Sequence, residues 1–276
     1  MSRRAHGLAV VTGASSGIGA ALARALARRG QPVLAVARRV ERLEALAAES
    51  STLAAAIHPL ALDLATGGAA EKVLAAADRL GGASWLVNNA GFGAYGTFAA
   101  QDPARLATMV RLNCEALVLL TRAFIPDLLA VDRGVILNVA SAAAFQPTPF
   151  MALYGATKAL VLAFSEALGE ELAHTRITVT AFCPGPVETE FGQVSGYRAR
   201  LKKPPGRISA EAAARAALAA ADRGRAVAVP GPLNRFTSLA AQLLPRSLVR
   251  RASREVLRPG RDAEGREGAP WSGGTR

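Results

Sequence analysis

The residue pair best suited to chemistry in this chain is Tyr154 and Lys158, four positions apart. Positions four apart share one face of a helix, and helical patterning near 150–174 covers both, so both side chains can reach one ligand. A free tyrosine has a pKa near ~10, and a neighbouring ammonium favours the phenolate and lowers that pKa. The pair therefore predicts acid–base catalysis in which Tyr154 moves a proton.

Two further polar residues accompany this pair. Ser141 follows the predicted strand Val135–Val139, at the sheet edge where parallel α/β proteins bind ligands, and its hydroxyl can donate to a carbonyl oxygen. A loop serine that caps the next segment is the alternative. Asn113 lies inside a predicted helix, 103–130, where asparagine is unfavourable, so either a functional role or simple exposure explains it.

A glycine-rich turn follows the first predicted strand, Leu8–Thr12, and opens the predicted helix Gly17–Arg29. Its glycines let the backbone approach a pyrophosphate closely, and the helix N-terminus offers unpaired N–H groups. The spacing differs from the commoner dinucleotide motif, so a turn without a ligand is the alternative. The predicted cofactor contacts in this turn are Gly13, Ser15, Ser16, Gly17, Ile18 and Gly19.

The same turn also matches the G-x-S-x-G pattern of a serine hydrolase, with Ser15 as the nucleophile. The histidines after Ser15 are His58, beside Pro59 at the start of a strand, and His174, at the end of a predicted helix. Neither has independent support as a general base. A serine hydrolase acting through Ser15 therefore stays as an alternative function.

Arg38 and Arg39 follow the second predicted strand, Pro32–Ala37, where NAD-binding sheets usually present an acid to the ribose 2′-hydroxyl. Planar guanidinium groups suit a 2′-phosphate instead. Two solvated arginines at a helix start are the alternative, which the helix dipole disfavours. The two arginines therefore predict NADP(H) as the cofactor.

The elements that must position these residues alternate along the chain. Short apolar runs separated by helical patterns predict an α/β domain with a parallel sheet covered on both faces. Gly185–Gly206 is a long irregular stretch, of the kind that often forms a lid. The remaining predicted strands are Ile57–Leu62, Ser84–Asn88, Ile177–Cys183 and Ala226–Val229, and the remaining predicted helices span 39–49, 68–80 and 209–222.

Composition narrows the classes of function. The 276 residues are 51% hydrophobic, which is enough for a sizeable core. The net charge is +12, but no zinc-finger or helix-turn-helix pattern accompanies it, so we predict no metal site and no nucleic-acid partner. Cys114 and Cys183 do not indicate a disulfide framework. With a short polar N-terminus and no long apolar run, they predict a cytoplasmic protein.

Taken together, the motifs resemble the classical short-chain dehydrogenase/reductase family over about residues 5 to 230. The resemblance implies a single Rossmann-type, doubly wound domain with a seven-stranded parallel sheet flanked by helices. It also implies an NADP(H)-dependent oxidoreductase that transfers a hydride between the nicotinamide and a carbonyl or secondary alcohol. The motifs that carry it are Thr12-Gly13-x-x-x-Gly17-x-Gly19, Asp63, Asn88-Asn89-Ala90-Gly91, Asn113, Ser141, Tyr154-x-x-x-Lys158 and Pro184-Gly185-Pro186-Val187-x-Thr189.

The resemblance further implies a role for each catalytic residue. Tyr154 would be the general acid in reduction and the base in oxidation, while Lys158 would bind the nicotinamide ribose and lower the pKa of Tyr154. Ser141 would hold the substrate oxygen, and Asn113 would position a water in a proton relay. Beyond the turn and the two arginines, the implied cofactor contacts are Asp63, Leu64, Asn89, Ala90, Gly91, Tyr154, Lys158, Pro184, Gly185, Val187 and Thr189.

The class of substrate can be predicted only from the residues that are expected to line its pocket. Most candidate pocket residues are apolar, which predicts an apolar ketone, aldehyde or secondary alcohol. A catalytically idle NADP-binding regulator with the same fold remains an alternative, although intact Ser141, Tyr154 and Lys158 argue against it. The pocket candidates are Ala142, Ala143, Phe145, Gln146, Met151, Phe191 and Tyr197.

Past the predicted catalytic domain, 1–230, we predict a helical extension, 231–258, and a disordered tail, 259–276. Pro245 should break or kink the extension. One face carries Leu248, Ala252 and Val256, spaced four apart, and arginines follow on a neighbouring face. We expect this face to pack on its own domain, with a cover over the substrate pocket, a second subunit or a membrane surface as alternatives. A homodimer or homotetramer is predicted.

Overall fold

The computed structural model describes residues 7–197 and 205–258. Its strands are β1 (Leu8–Thr12), β2 (Val33–Ala37), β3 (Ile57–Ala61), β4 (Ala83–Asn88), β5 (Gly134–Val139), β6 (Ile177–Phe182), β7 (Val187–Glu188), β8 (Ile208–Ser209) and β9 (Val227–Ala228). In these ranges the main sheet has seven parallel strands in the order β3-β2-β1-β4-β5-β6-β9, and β7 pairs with β8 apart from it. The predicted seven-stranded parallel sheet is confirmed.

Helices connect the strands and cover both faces of the sheet. They are α1 (Gly17–Arg28), α2 (Val40–Ala48), α3 (Ala69–Asp78), α4 (Pro103–Val110), α5 (Ala116–Leu129), α6 (Ala152–Glu171), α7 (Phe191–Ser195), α8 (Ala210–Asp222), α9 (Pro232–Leu243) and α10 (Arg246–Leu257). Leu22 of α1 and Leu218 of α8 lie in the core on one face. Phe124 of α5 and Leu168 of α6 lie in the core on the other. All residues of β1, β2 and β5 are buried because neither face of these strands meets water.

One predicted helix, 103–130, is interrupted. A π-helical segment, Arg111–Glu115, separates α4 from α5, and Asn113 lies within it. Such single turns are rare and occur mostly at functional sites. The predicted helix at 150–174 also ends early, at Glu171, so His174 lies beyond it.

The C-terminal extension forms two helices that meet at Pro245, where the break was predicted. The expected packing face of α10 is wrong. Leu248 and Val256 are 52% and 69% exposed, whereas Val249 and Ser253 are buried. The four-residue spacing of apolar residues was outweighed by how α10 docks on the domain.

The stretch Gly185–Gly206 is more ordered than expected, since β7 and α7 lie within its described part. Its residues 198–204, and the predicted tail 259–276, lie outside the described residues. Within the described ranges, no helix is long and apolar enough to cross a membrane.

Candidate active site

Tyr154, Lys158 and Ser141 come together at the carboxyl end of β5. Tyr154 and Lys158 share a face of α6, and both are buried. Ser141 follows β5 and caps the next turn, since its Oγ accepts from the Ala143 N–H at 3.1 Å, and its side chain is also within hydrogen-bonding reach of the Tyr154 hydroxyl. The Lys158 Nζ donates to the Val139 carbonyl at 2.7 Å and lies 5.9 Å from the centre of the Tyr154 ring. A tyrosine hydroxyl, a serine hydroxyl and an ammonium thus border one space.

Burial dominates the proton affinities of this group. It raises the pKa of Tyr154 to about 12, against a smaller lowering by the hydrogen bond with Ser141. It also lowers the pKa of Lys158 to about 8. Both shifts have one cause, because a poorly solvated side chain disfavours its charged form. The sequence led us to expect a lowered pKa for Tyr154, whereas burial raises it.

The π-helical segment directs the Asn113 side chain at the loop after β4. Its Oδ1 accepts from the Phe92 N–H at 3.1 Å, and its Nδ2 donates to the Phe92 carbonyl at 2.9 Å. The same Nδ2 lies 3.1 Å from the Thr157 Oγ1, on the helix that carries Tyr154. A Cβ on Gly91 would lie 2.9 Å from the Asn113 Oδ1, so the backbone passes very close here. Asn113 is buried and holds this loop against α6.

The glycine-rich turn is held by the end of β4. The Thr12 Oγ1 accepts from the N–H groups of Asn89 and Ala90 at 2.9 and 3.0 Å, and the Asn89 Nδ2 donates to the Thr12 carbonyl at 2.8 Å. Gly13 has a φ of +66°, and a Cβ there would lie 2.8 Å from the Asn89 Nδ2. A Cβ on Gly19 would lie 2.3 Å from the Gly13 carbonyl oxygen. No side chain caps α1, so its first N–H groups remain for an anion, and the turn fits a pyrophosphate.

The two predicted arginines differ in their surroundings. Arg39 bonds to the turn itself, with its Nε and Nη2 3.1 and 3.0 Å from the Ser15 Oγ, and its Nη2 2.7 Å from the Ser16 Oγ. The side chain of Arg38 is 68% exposed, and its guanidinium lies 3.9 Å from Asp63. Arg39 is thus fixed beside the phosphate-binding turn, while Arg38 borders Asp63.

Glu190 is a residue that the sequence analysis missed. It lies 2.8 Å from the Arg39 Nη1 and 2.6 Å from the Arg42 Nη1. These two guanidinium groups lower the pKa of Glu190 to about 2. The pairing joins residues 151 and 148 positions apart, so no local pattern reveals it.

The residues after β6 close over the turn. A Cβ on Gly17 would lie 2.9 Å from the Thr189 Cγ2, and the Thr189 Oγ1 accepts from the Phe191 N–H at 3.2 Å. Val187 is half-buried beside them, and Pro184 is buried. Gly185 packs against Asn234 of α9, which a Cβ would approach to 2.4 Å.

The remaining predicted contacts follow β3. Leu64 is buried, and the Asp63 Oδ1 accepts from the Ala65 N–H at 2.9 Å. Asp63 therefore sits in a fixed turn beside Arg38.

An aromatic cluster lies beside Tyr154. The ring of Phe191 is 5.1 Å from that of Tyr154, and the ring of Tyr95 is 5.1 Å from that of Tyr197. Of the pocket candidates, Ala143, Met151, Phe191 and Tyr197 belong to this cluster. Phe145 packs in a separate cluster, and no side-chain partner is described for Gln146 or Ala142. Tyr95 was missed, although it lies a few residues past the strand end Asn88.

The hydrolase alternative fails on geometry. His58 is paired across β2 with Val10 of β1, through Leu34, whereas Ser15 lies five residues past Val10. That is about 15 Å along the strand direction, besides two strand spacings. His174 lies between α6 and β6, at the opposite end of the sheet. The Ser15 hydroxyl accepts from Arg39, which cannot act as a base.

Comparisons with known proteins agree with this geometry. Residues 7–197 match the family model described as short chain dehydrogenase. Serine 3-dehydrogenase from Agrobacterium fabrum is 41% identical over 188 residues, 67% of this chain and 74% of its own. A short-chain dehydrogenase from Sphingobium yanoikuyae, solved in complex with NADPH, is 31% identical with a TM-score of 0.77, over 94% of this chain and 99% of its own.

A third similar protein is named for the substrates that it accepts. The bulky-bulky ketone specific alcohol dehydrogenase from Comamonas testosteroni is 30% identical with a TM-score of 0.73, and the match covers 95% of this chain and 98% of its own. These matches and the shared motifs have one consequence. The chain belongs to the short-chain dehydrogenase/reductase family of oxidoreductases.

Proposed function

We propose that this chain is an NADP(H)-dependent reductase of apolar ketones or aldehydes, which also oxidises the corresponding secondary alcohols. The observation that carries the proposal is the buried contact of Tyr154 with Ser141, next to Lys158 and beside an uncapped, glycine-rich helix start. The relatives support the chemistry, since one binds NADPH and another is named for ketones. We place the protein in the cytoplasm as a homo-oligomer, as the sequence led us to expect.

The chain's own residues fit the cofactor at three points. The helix start at Ser16–Ile18 offers N–H groups and a positive dipole end to the pyrophosphate. Arg39 and Arg38 would hold the 2′-phosphate, which their charge favours over a hydroxyl. Lys158 would donate to the nicotinamide ribose, while Val187 and Thr189 hold the carboxamide. The nicotinamide, when bound, supplies or accepts the hydride.

Tyr154 provides the proton. With a pKa near 12 its hydroxyl stays protonated at neutral pH, which suits a general acid in carbonyl reduction. Ser141 would donate to the carbonyl oxygen and so hold it within reach of the Tyr154 hydroxyl. Alcohol oxidation needs the phenolate, which nearby positive charge favours. At cytosolic cofactor ratios, carbonyl reduction driven by NADPH is the direction that we propose.

Lys158 and Asn113 support this proton donor. The bond from the Lys158 Nζ to the Val139 carbonyl fixes the ammonium beneath Tyr154. Asn113 bridges the Phe92 backbone and Thr157, so it holds the loop after β4 in register with α6. We propose that the π-helical segment around Asn113 also positions the water that returns a proton to Tyr154.

The substrate class follows from the surroundings of Tyr154. Apolar and aromatic side chains from several segments pack in the cluster that contains Tyr154, and the guanidinium of Arg105 lies over the Phe92 ring, 5.3 Å from its centre. A bulky apolar ketone suits this surface better than a small charged keto acid. The relative named serine 3-dehydrogenase acts, by its name, on serine, a polar zwitterion, so both substrate types belong in the test.

An idle NADP-binding regulator would bind the cofactor without turnover. The test combines fluorescence titration with NADPH and NADH and a rate assay with bulky apolar ketones and with L-serine. Tight NADPH binding with ketone turnover supports the proposal. Cofactor binding without turnover of any carbonyl favours the regulator, and binding of neither cofactor overturns the proposal.

A further inference from the structure

Helix α9 carries its apolar side outward. Leu233, Phe236, Leu239 and Leu243 recur at three- and four-residue spacing, which forms one stripe on a helix. Their exposed fractions run from 44% for Leu233 to 75% for Leu243. The buried side of α9 instead carries polar residues, Asn234 and Ser238. This reverses the usual pattern of a surface helix, in which the apolar side faces the core.

The reversal is held by specific contacts. The Asn234 Nδ2 donates to the carbonyls of Gly206 and Pro230 at 3.1 and 3.0 Å. Asn234 also packs against Gly185, where a Cβ would lie 2.4 Å from its Oδ1. Rolling α9 to bury its leucines would break these bonds and bring Leu233 or Phe236 into a space that accepts no larger group. The apolar stripe is therefore a built feature of the surface.

Helix α10, which follows α9 after the break at Pro245, carries positive charge. From Pro230 to Arg258 the sequence has six arginines and one acid, Glu255. Arg250, Arg251 and Arg254 line a cavity of about 430 Å³ with 147–149 and Ala152, and none of its lining residues is acidic. We call the exposed apolar and basic side chains of the two helices the α9–α10 surface. It comprises Leu233, Phe236, Leu239, Leu243, Leu244, Leu248, Val256, Arg235, Arg246, Arg250, Arg251 and Arg254.

A second copy of this chain fits the α9–α10 surface poorly. A two-fold interface would place the same patch on both sides, so the five arginines of each copy would enter one interface with little acid to compensate. An anionic lipid bilayer can bind both the apolar and the basic side chains of this surface. Apolar side chains enter the boundary between headgroups and acyl chains, and arginines bind the lipid phosphates.

We propose that the α9–α10 surface docks on anionic membranes, with the α9 stripe inserted at the interface and the arginines of α10 on headgroup phosphates. The proposal stands apart from the catalytic one, since it uses none of the catalytic or cofactor residues. It does border the aromatic cluster, because the Tyr95 hydroxyl donates to the Leu257 carbonyl at 2.6 Å.

The test is sedimentation of the full chain with vesicles of phosphatidylcholine alone and with vesicles that also contain phosphatidylglycerol. We expect binding to the anionic vesicles only, weakening as salt rises. A Phe236→Ser/Leu243→Ser variant should lose most of this binding. An Arg250→Gln/Arg254→Gln variant should bind roughly tenfold or more weakly, since each arginine near the surface contributes separately.

Leu129→Ser is the matched control, because Leu129 is an exposed leucine (46%) at the end of α5, just before β5 begins, at the opposite end of the sheet from α9. It should bind vesicles like the wild type, and a circular dichroism melt shows that each variant folds. Absence of binding to anionic vesicles overturns the proposal. So does equal binding by the Phe236→Ser/Leu243→Ser variant. If that variant instead lowers the oligomer size in gel filtration, the surface is a contact between copies and the membrane proposal is wrong.

Discussion

The candidate site has two ends that differ in the burial of their charged groups. At the catalytic end Tyr154 and Lys158 are buried, and burial is the largest cause that brings their pKa values to about 12 and about 8. At the arginine end the side chains of Arg39 and Glu190 are 42% and 36% exposed and are paired with each other. Burial sets the pH at which a group gives up its proton. At an exposed arginine, by contrast, one anionic partner can replace another at little cost in free energy. Under the proposed function, proton transfer and the choice between NADPH and NADH therefore depend on separate parts of the site.

One short segment touches both ends. Glu190 pairs with Arg39, and the next residue, Phe191, packs on the Tyr154 ring. If a 2′-phosphate takes Arg39 from Glu190, the carboxylate keeps Arg42 as its partner. The comparison predicts large effects on rate at the buried end and smaller, cofactor-dependent effects at the exposed end.

The largest effect is expected for Tyr154→Phe. Removing the proton donor should lower the rate of carbonyl reduction on the order of 10²–10⁴-fold. The NADPH dissociation constant should stay near the wild-type value, because the ring remains. Steady-state kinetics and a fluorescence titration measure the two quantities. Tyr95→Phe is the control, since its hydroxyl bonds to α10. A Tyr154→Phe variant that keeps most of its rate would remove the tyrosine from the mechanism.

At the exposed end, Arg39→Ala should weaken NADPH binding by roughly 10–100-fold, the equivalent of one charge-assisted contact. NADH lacks the 2′-phosphate, so its affinity should change little. Titration with both cofactors measures the difference. Arg38→Ala should have a smaller effect on NADPH, because Arg38 is more exposed and lies beside Asp63. Equal losses for NADPH and NADH in Arg39→Ala would show that Arg39 only supports the turn.

Glu190→Gln should act in the opposite direction. Without the competing carboxylate, Arg39 is available to the 2′-phosphate, so NADPH should bind about 2–5-fold more tightly, the range of an exposed ion pair. NADH binding should not change. Glu188→Gln is the matched control, since Glu188 pairs with Arg207 and not with Arg39. Unchanged or weaker NADPH binding in Glu190→Gln would mean that the carboxylate orients Arg39 and does not compete for it.

The smallest effect concerns stability and tests the buried end. The folded-state pKa of Lys158, about 8, lies below its ordinary value of 10.5, so the unfolded chain binds the proton more tightly. Stability from this residue therefore rises with pH between those values, and is lost as pH falls through about 8. Lys158→Met removes this dependence on pH. The variant also loses the hydrogen bond to the Val139 carbonyl, which changes the stability by the same amount at both pH values.

The advantage of Lys158→Met over wild type should thus be larger at about pH 7 than at about pH 9.5. Thermal melts at the two pH values measure it, with roughly 2–4 °C expected for each kcal/mol. A pH-independent difference in Tm would show that Lys158 is solvated or compensated in the folded protein.

The sequence alone determined the regular part of this molecule. The central strands β1, β2 and β5 are runs of mainly apolar residues, and the pairing of Tyr154 with Lys158 follows from the period of one helix. The glycines of the turn after β1 indicate that neighbouring groups approach the backbone closely, and the structure shows such approaches at Gly13 and Gly19. These features are local, so neighbouring residues in the chain are sufficient to predict them.

Only the tertiary structure decided which partners these residues have. Glu190 meets Arg39 across 151 positions, the π-helical segment brings Asn113 to Phe92, and Tyr95 joins the cluster at Tyr154. The outward face of α9 belongs here as well, since its apolar spacing predicts burial and the bonds of Asn234 prevent it. Periodicity in a sequence tells which residues share a face, but the direction of that face is set by contacts between distant segments.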